Sequence, residues 1–289
     1  MVCLFALLSL TACNSAAYLK PTEGENAVQI VGYGQTNLVK HHRGTMPIVL
    51  TCPHDGTAIP PNVRERTDPE TPASCTGMNK FSVDRDGDIA PITEGVAQKI
   101  LDLTGLSPYV VIATFSRRFI DANRRPECAF VDPAARVFYE QYHYIIRTYV
   151  SEILSQNENK GFLFDMHGTR EKDDEPADIY LGTRNGRSLI GGFSHAMLFM
   201  QHGLYGLLNL QWSKRHTAGH PGSYRISPRA EGLEERINGG FTIEEYSSLI
   251  SGIQIEIANP IRFHAEVREP FKEDLAFALI NFVRRYAPF

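Results

Sequence analysis

The chain has 289 residues, enough for one or two domains and for a core that needs no covalent staples. Hydrophobic residues make up 43% and charged residues 21%, which excludes wholesale disorder. Lys and Arg (29) nearly balance Asp and Glu (33) for a net charge of −4, so no broad basic field awaits a nucleic-acid backbone.

The chain opens with MVCLFALLSLTA, an apolar run without a charge. It is shorter than the ~20 residues a spanning helix needs and has the length of a signal-peptide core. Leu10-Thr11-Ala12-Cys13 resembles a lipobox, although no Lys or Arg precedes Cys13. Residues 1–17 therefore read as a signal peptide with a short tether, and 18–289 as the folded domain. The expected location is the periplasm or cell envelope, with a lipid anchor at Cys13 as the only membrane attachment. Without a genuine lipobox, the expectation is the cytoplasm. If Cys3 is removed and Cys13 lipidated, Cys52, Cys75 and Cys128 remain, an odd number that allows at most one disulfide.

Pro47–Cys52 is a short apolar run closed by Pro53 and predicts a buried strand. Residues 55–80, rich in Pro, Thr, Asp and Asn, predict a long loop. Ile92, Val96, Ile100 and Leu103 recur at helical steps. Tyr109–Ala113 is a β-branched strand. Phe138, Tyr142, Ile145, Tyr149 and Ile153 form one stripe of a helix over 133–154, with Pro133 suited to its first turn. Gly161–Asp165, Ala177–Leu181 and Ile253–Ile257 read as strands, and Pro270–Arg285 as a closing helix. This alternation predicts one α/β domain with a mixed, mainly parallel sheet flanked by helices.

Ligands in such sheets bind beyond the carboxyl ends of the strands. Those ends carry Pro53-His54-Asp55-Gly56, Asp165-Met166-His167-Gly168 and Gln254-Ile255-Glu256. Two strand-end histidines, each near a Gly that lets the chain turn, suit a metal site. Asp165 and His167 stand two apart on a strand, hence on one face, so Asp165 can orient the imidazole. A third ligand is sought among Asp84, Asp86 and Asp88. Asp88 also suits the start of the helix at 92. Gln254 and Glu256 share the face opposite Ile253, Ile255 and Ile257.

These residues, with Ile59-Pro60, Arg85-Asp86, Arg118, Asp121, Asn123-Arg124, Tyr142-His143, Tyr180–Thr183 and Gly239–Phe241, occur in an order that resembles the N-formylglutamate amidohydrolase family. The resemblance covers about residues 45–265. It implies a zinc-carboxypeptidase-like fold over 18–289 and a Zn(2+) held by His54, Asp86 and His167, with Asp84 and Asp88 as rivals to Asp86. It further implies Glu256 as the catalytic acid–base, Arg118 for the oxyanion or a substrate carboxylate, and Asn123, Arg124 and His143 as further substrate-binding residues. Asp121 reads as a structural partner of those arginines. His143 also suits plain helix packing. The implied activity is zinc-dependent hydrolysis of a C–N amide bond in a small N-acyl amino acid such as N-formylglutamate, or in a peptide-like amide. Alternatives are a metallopeptidase acting on short peptides and a surface lipoprotein that binds its ligand without turning it over.

Overall fold

The computed structural model describes residues 27–34, 36–171, 176–215, 224–228, 234, 237–287 and 289. The signal-peptide and lipobox reading of residues 1–17 lies outside the described residues, as do His216 and His220.

The strands are β1 (Val31–Gly32), β2 (Val39–His42), β3 (Ile48–Cys52), β4 (Tyr109–Ala113), β5 (Phe162–Thr169), β6 (Ile179–Gly182), β7 (Ile226–Ser227) and β8 (Ser251–Ala258). They form an 8-stranded sheet in the order β1-β2-β4-β3-β5-β8-β6-β7. The centre, β4-β3-β5-β8, is parallel. β2 joins β4 and β6 joins β8 in antiparallel sense, which makes the sheet mixed as expected. The helices are α1 (Ile89–Thr104), α2 (Pro126–Ala129), α3 (Arg136–Gln156), α4 (Leu204–Arg215), α5 (Phe241–Tyr246), α6 (Asn259–Arg262) and α7 (Ala265–Tyr286).

Strand alternation sorts the core onto two faces. Ile48, Leu50, Phe164, Met166, Ile253, Ile255 and Ile257 pack with α1, α4 and α7. Val49, Val111 and Leu163 pack with the apolar stripe of α3 and with Phe241 and Ile243 of α5. Asp165, His167, Gln254 and Glu256 alternate onto this second face. Register completes the placement: Asp165 pairs with Thr51 and Gln254, and His167 with Glu256.

The structure adjusts several boundaries. β5 continues to Thr169, so His167 stands within the strand rather than beyond its end. α3 begins at Arg136, after a 3-10 turn over Pro133–Ala135 that Asp132 caps through the Ala134 amide at 3.0 Å. Asp88 occupies the position before α1, but with φ 66° and no side-chain cap; Asp55 Oδ2 accepts from the Ala90 amide instead, at 2.7 Å. α7 begins at Ala265, with Pro270 inside it. The residues 55–80 form the expected loop, interrupted by an isolated bridge from Ala58 to Phe115 and by 3-10 turns at Asp68–Glu70 and Gly77–Asn79.

Candidate metal centre and its cleft

His54 follows β3 and His167 stands on the adjacent β5, so sheet spacing brings their rings to a centroid separation of 4.8 Å. Both are 2% exposed. Asp86 reaches them from the loop before α1, which is tied down by the Asp86 amide donating to the His54 carbonyl at 3.1 Å. One carboxylate oxygen, Asp86 Oδ2, meets Nδ1 of His54 at 3.3 Å and Nδ1 of His167 at 3.0 Å. Ligand atoms of the three residues lie within 4.8 Å of one another. Of the three rival carboxylates only Asp86 is buried; Asp84 is exposed and Asp88 pairs with Arg268 at 3.1 Å.

The far nitrogen of each imidazole is backed by its own buried carboxylate. His54 Nε2 lies 2.6 Å from Asp121 Oδ1, and His167 Nε2 lies 2.8 Å from Asp165 Oδ2. Asp165 is itself held by the Thr51 hydroxyl at 2.6 Å. Backing of this kind fixes ring orientation and raises ligand basicity at metal sites. Burial opposes ionisation of Asp86, but hydrogen bonds from His167 and His54 prevail and hold its carboxyl well below the usual range. Burial likewise opposes charge on His167, yet Asp165 and Asp86 push its pKa well above the ordinary value. Two imidazole nitrogens and one carboxylate, with no fourth protein ligand among the described residues, make a donor set that suits a divalent metal ion with an open position.

The centre opens on a cleft of about 1000 Å³. Glu256 lines it from β8, and Gln254 Nε2 donates to Glu256 Oε1 at 2.9 Å. Asn123 is buried yet lines the cleft beside His167, its Nδ2 3.1 Å from His167 Nε2 and its Oδ1 accepting from the Thr242 amide at 2.7 Å. Arg124 lines the cleft and donates to the Lys80 carbonyl at 3.0 Å.

Residues 46–132 match the family model of N-formylglutamate amidohydrolase. The matched stretch includes His54, Asp86, Asp121, Asn123 and Arg124; His167 and Glu256 lie beyond it. The chain also shares its fold with a crystal structure of N-formylglutamate amidohydrolase from Ralstonia eutropha. That likeness has a TM-score of 0.55 at 18% identity, over 83% of this chain and 95% of that one. Weaker likenesses run to a gene product of Agrobacterium tumefaciens (TM-score 0.45, 14% identity, 86% and 94% of the chains) and to the succinylglutamate desuccinylase of Chromobacterium violaceum (TM-score 0.37, 12% identity, 87% and 70%). No curated protein matches the sequence.

Two residues expected in the amidohydrolase-like site stand elsewhere. Arg118 points outward, its side chain 61% exposed and paired with Glu65 at 3.1 Å. Its neighbour Arg117 takes the inner place, donating through Nε to Asp121 Oδ2 at 2.8 Å and lying 3.9 Å from Asp86 Oδ1. A turn over 117–119 sends the two adjacent side chains opposite ways, and two consecutive arginines offer no periodicity that would choose between them. His143 does not line the cleft. Its Nε2 lies 3.0 Å from the Ala122 carbonyl and its Nδ1 3.0 Å from the Tyr246 hydroxyl, where burial pushes its pKa down to about 3. It buttresses the segment carrying Asn123 from behind.

The two glycines also serve a purpose other than sharp turning. A Cβ on Gly56 would lie 2.3 Å from the Phe115 carbonyl oxygen, and one on Gly168 would lie 2.4 Å from Arg262 Nη1. Both admit close neighbours. Asp121 holds more than expected: besides Arg117 and His54 it lies 3.7 Å from Arg124 and 3.9 Å from the buried Arg66. Arg117 and Arg124 outweigh the penalty of burial and keep the Asp121 carboxyl well below its ordinary range. Cys75 and Cys128 form a disulfide beside the cleft wall, and Cys52 is free and buried.

Proposed function

We propose that this protein is a zinc-dependent hydrolase that cleaves the C–N amide bond of a small N-acyl amino acid, with N-formylglutamate as the first substrate to test. The observation that carries this reading is the convergence of His54 Nδ1 and His167 Nδ1 on Asp86, each ring backed by a buried carboxylate, with Glu256 paired in register with His167. The family match over residues 46–132 supports it.

His54, Asp86 and His167 would hold the ion. When bound, zinc supplies a Lewis acid for the substrate carbonyl and lowers the pKa of water to about 7. Glu256 then takes the proton of the attacking water and returns it to the leaving nitrogen as the C–N bond breaks. Gln254 orients that carboxylate by its hydrogen bond. Arg117 and Arg124 set positive charge beside the centre for the oxyanion or a substrate carboxylate. Asn123 packs against His167 and closes the floor.

The width of the cleft favours a longer peptide-like amide as a second substrate class, because about 1000 Å³ is at the upper end for small-molecule sites. For location, our reading remains an exported protein anchored at Cys13. The Cys75–Cys128 disulfide supports an oxidising compartment. Zinc content, with hydrolysis of N-formylglutamate, other N-acyl amino acids and acyl dipeptides, tests the function. In Glu256→Gln, zinc should stay bound while kcat falls ~100- to 10,000-fold. Full activity in metal-free protein, or unchanged kcat in Glu256→Gln, would sink the mechanism.

A further inference from the structure

Arg262 had no part in the sequence pattern, yet it sits at the junction of the segments that deliver the site. It ends α6, close after β8, and is 4% exposed. Its Nη1 donates to the Gly87 carbonyl at 2.6 Å, and its Nη2 to the Thr169 carbonyl at 3.0 Å and to Asn259 Oδ1 at 2.5 Å. Gly87 follows Asp86. Thr169 ends β5, the strand of His167. Asn259 follows directly on β8, the strand of Glu256. One planar group thus joins the backbone beside the carboxylate ligand to both strands that carry the other groups.

Two further observations bear on this. The guanidinium lies so close to Gly168 that a Cβ there would meet Nη1 at 2.4 Å, Cζ at 2.6 Å and Nε at 2.9 Å. Nε is buried without an acceptor, an unfavourable state that the fork's other contacts must offset. The arginine is itself held, because Arg268 donates to the Arg262 carbonyl at 3.0 Å and to Asp88 Oδ2 at 3.1 Å. Asp88 lies in the same loop as Gly87.

We propose that Arg262 is a positioning residue that sets the distance of Asp86 from His167 and Glu256, its one guanidinium fork clamping the backbones at Gly87 and Thr169 to the Asn259 side chain just after β8. The inference rests on the metal centre proposed above. A fork is required: an ammonium at this place keeps the charge but cannot meet three acceptors in fixed planar geometry. The clamp acts on ligand placement, so it governs metal affinity and kcat more than global stability.

The test is Arg262→Lys beside the parent chain, with zinc affinity read by chelator competition, kcat and KM at saturating zinc, and the thermal melt. Supporting residues of metal ligands typically contribute 10- to 100-fold. Zinc affinity and kcat should each fall in that range, KM should move little, and the melt should stay cooperative. Added guanidinium ion should restore part of both losses in Arg262→Ala. Gly168→Ala, which displaces the same fork without touching the charge, should weaken zinc in the same direction. Parental zinc affinity and kcat in Arg262→Lys overturn the inference while leaving the proposed function standing. Loss of a cooperative melt in Arg262→Lys and Gly168→Ala alike also overturns it, by assigning the residue to folding. A parent chain that takes up no zinc overturns the proposed function, and this inference with it.

Discussion

The floor of the cleft and its wall are held by different means. The floor, with His54, His167, Asp165 and Glu256, is built on the central parallel strands or just beyond them, where register sets each side chain. The wall, formed by residues 77–86 and by the segment around Arg124, hangs on long-range links between irregular stretches. Arg66 donates to the carbonyls of Ser82 and Arg117 at 3.0 and 2.8 Å, Asn79 Oδ1 accepts from the Arg125 amide at 3.0 Å, and the disulfide joins Cys75 to Cys128. The two histidines and Glu256 thus sit on the sheet or just beyond it, whereas Asp86 and the remaining cleft lining are delivered by irregular segments that these links hold in place.

The sharpest break of the floor is His54→Ala or His167→Ala, each of which should abolish zinc binding and turnover together, measured by metal analysis and steady-state kinetics. Asp165→Asn and Asp121→Asn should spare the ligands but lower zinc affinity about 10- to 100-fold, because each backs one imidazole. Parental affinity in both would mean that the backing carboxylates serve only the fold.

The two adjacent arginines test the border between floor and wall. Arg117→Ala strips a buried partner from Asp121 and should cost about 3 kcal/mol in denaturant unfolding, with a fall in kcat/KM. Arg118→Ala should stay within about 0.5 kcal/mol and keep full activity, since its side chain is exposed and pairs with the exposed Glu65. A large loss of activity in Arg118→Ala would return that residue to the site.

On the wall, Cys75→Ser opens a link across 53 residues and should lower stability by about 2–4 kcal/mol. KM should rise as the loop that meets Arg124 loosens, while zinc stays bound. A pH-dependent effect concerns His143. Its pKa is pushed from 6.5 to about 3 by burial, so between these values the unfolded chain holds a proton that the folded chain does not. Stability is therefore complete above pH 6.5 and is lost as pH falls toward 3, by about 2 kcal/mol at pH 5. His143→Gln should remove this part of the pH dependence in unfolding curves at pH 5 and pH 7, and an unchanged slope would show that another group carries it.

The central strands and the long helices were legible from the sequence because burial leaves a local trace. Tyr109–Ala113 is a continuous β-branched apolar run, as a strand covered on both faces requires, and the α3 stripe is apolar at the helical period. The edge strands β1, β2 and β7, the short helices α2, α5 and α6, and the 12-residue α4 were not legible; most of them carry too few residues for a period to show. β2 reads Val-Lys-His-His and is held by pairing with β4. His54, His167 and Glu256 could be singled out because strand ends and strand faces are local properties.

What the sequence by itself determined is the alternating α/β order, the residues at the carboxyl ends of the strands, and the short list of carboxylates that includes Asp86. Only the tertiary structure decided which member of each list turns inward. Asp86 was chosen over Asp84 and Asp88 because its loop is pinned to the His54 carbonyl and to the Gly168 amide. Arg117 was chosen over Arg118 because the buried charge of Asp121 lies on one side of the turn. Arg262 stayed hidden because two of its three acceptors are backbone carbonyls on segments far away in the chain. Every backbone carbonyl is chemically alike, so no residue type along the chain marks which of them a guanidinium will find.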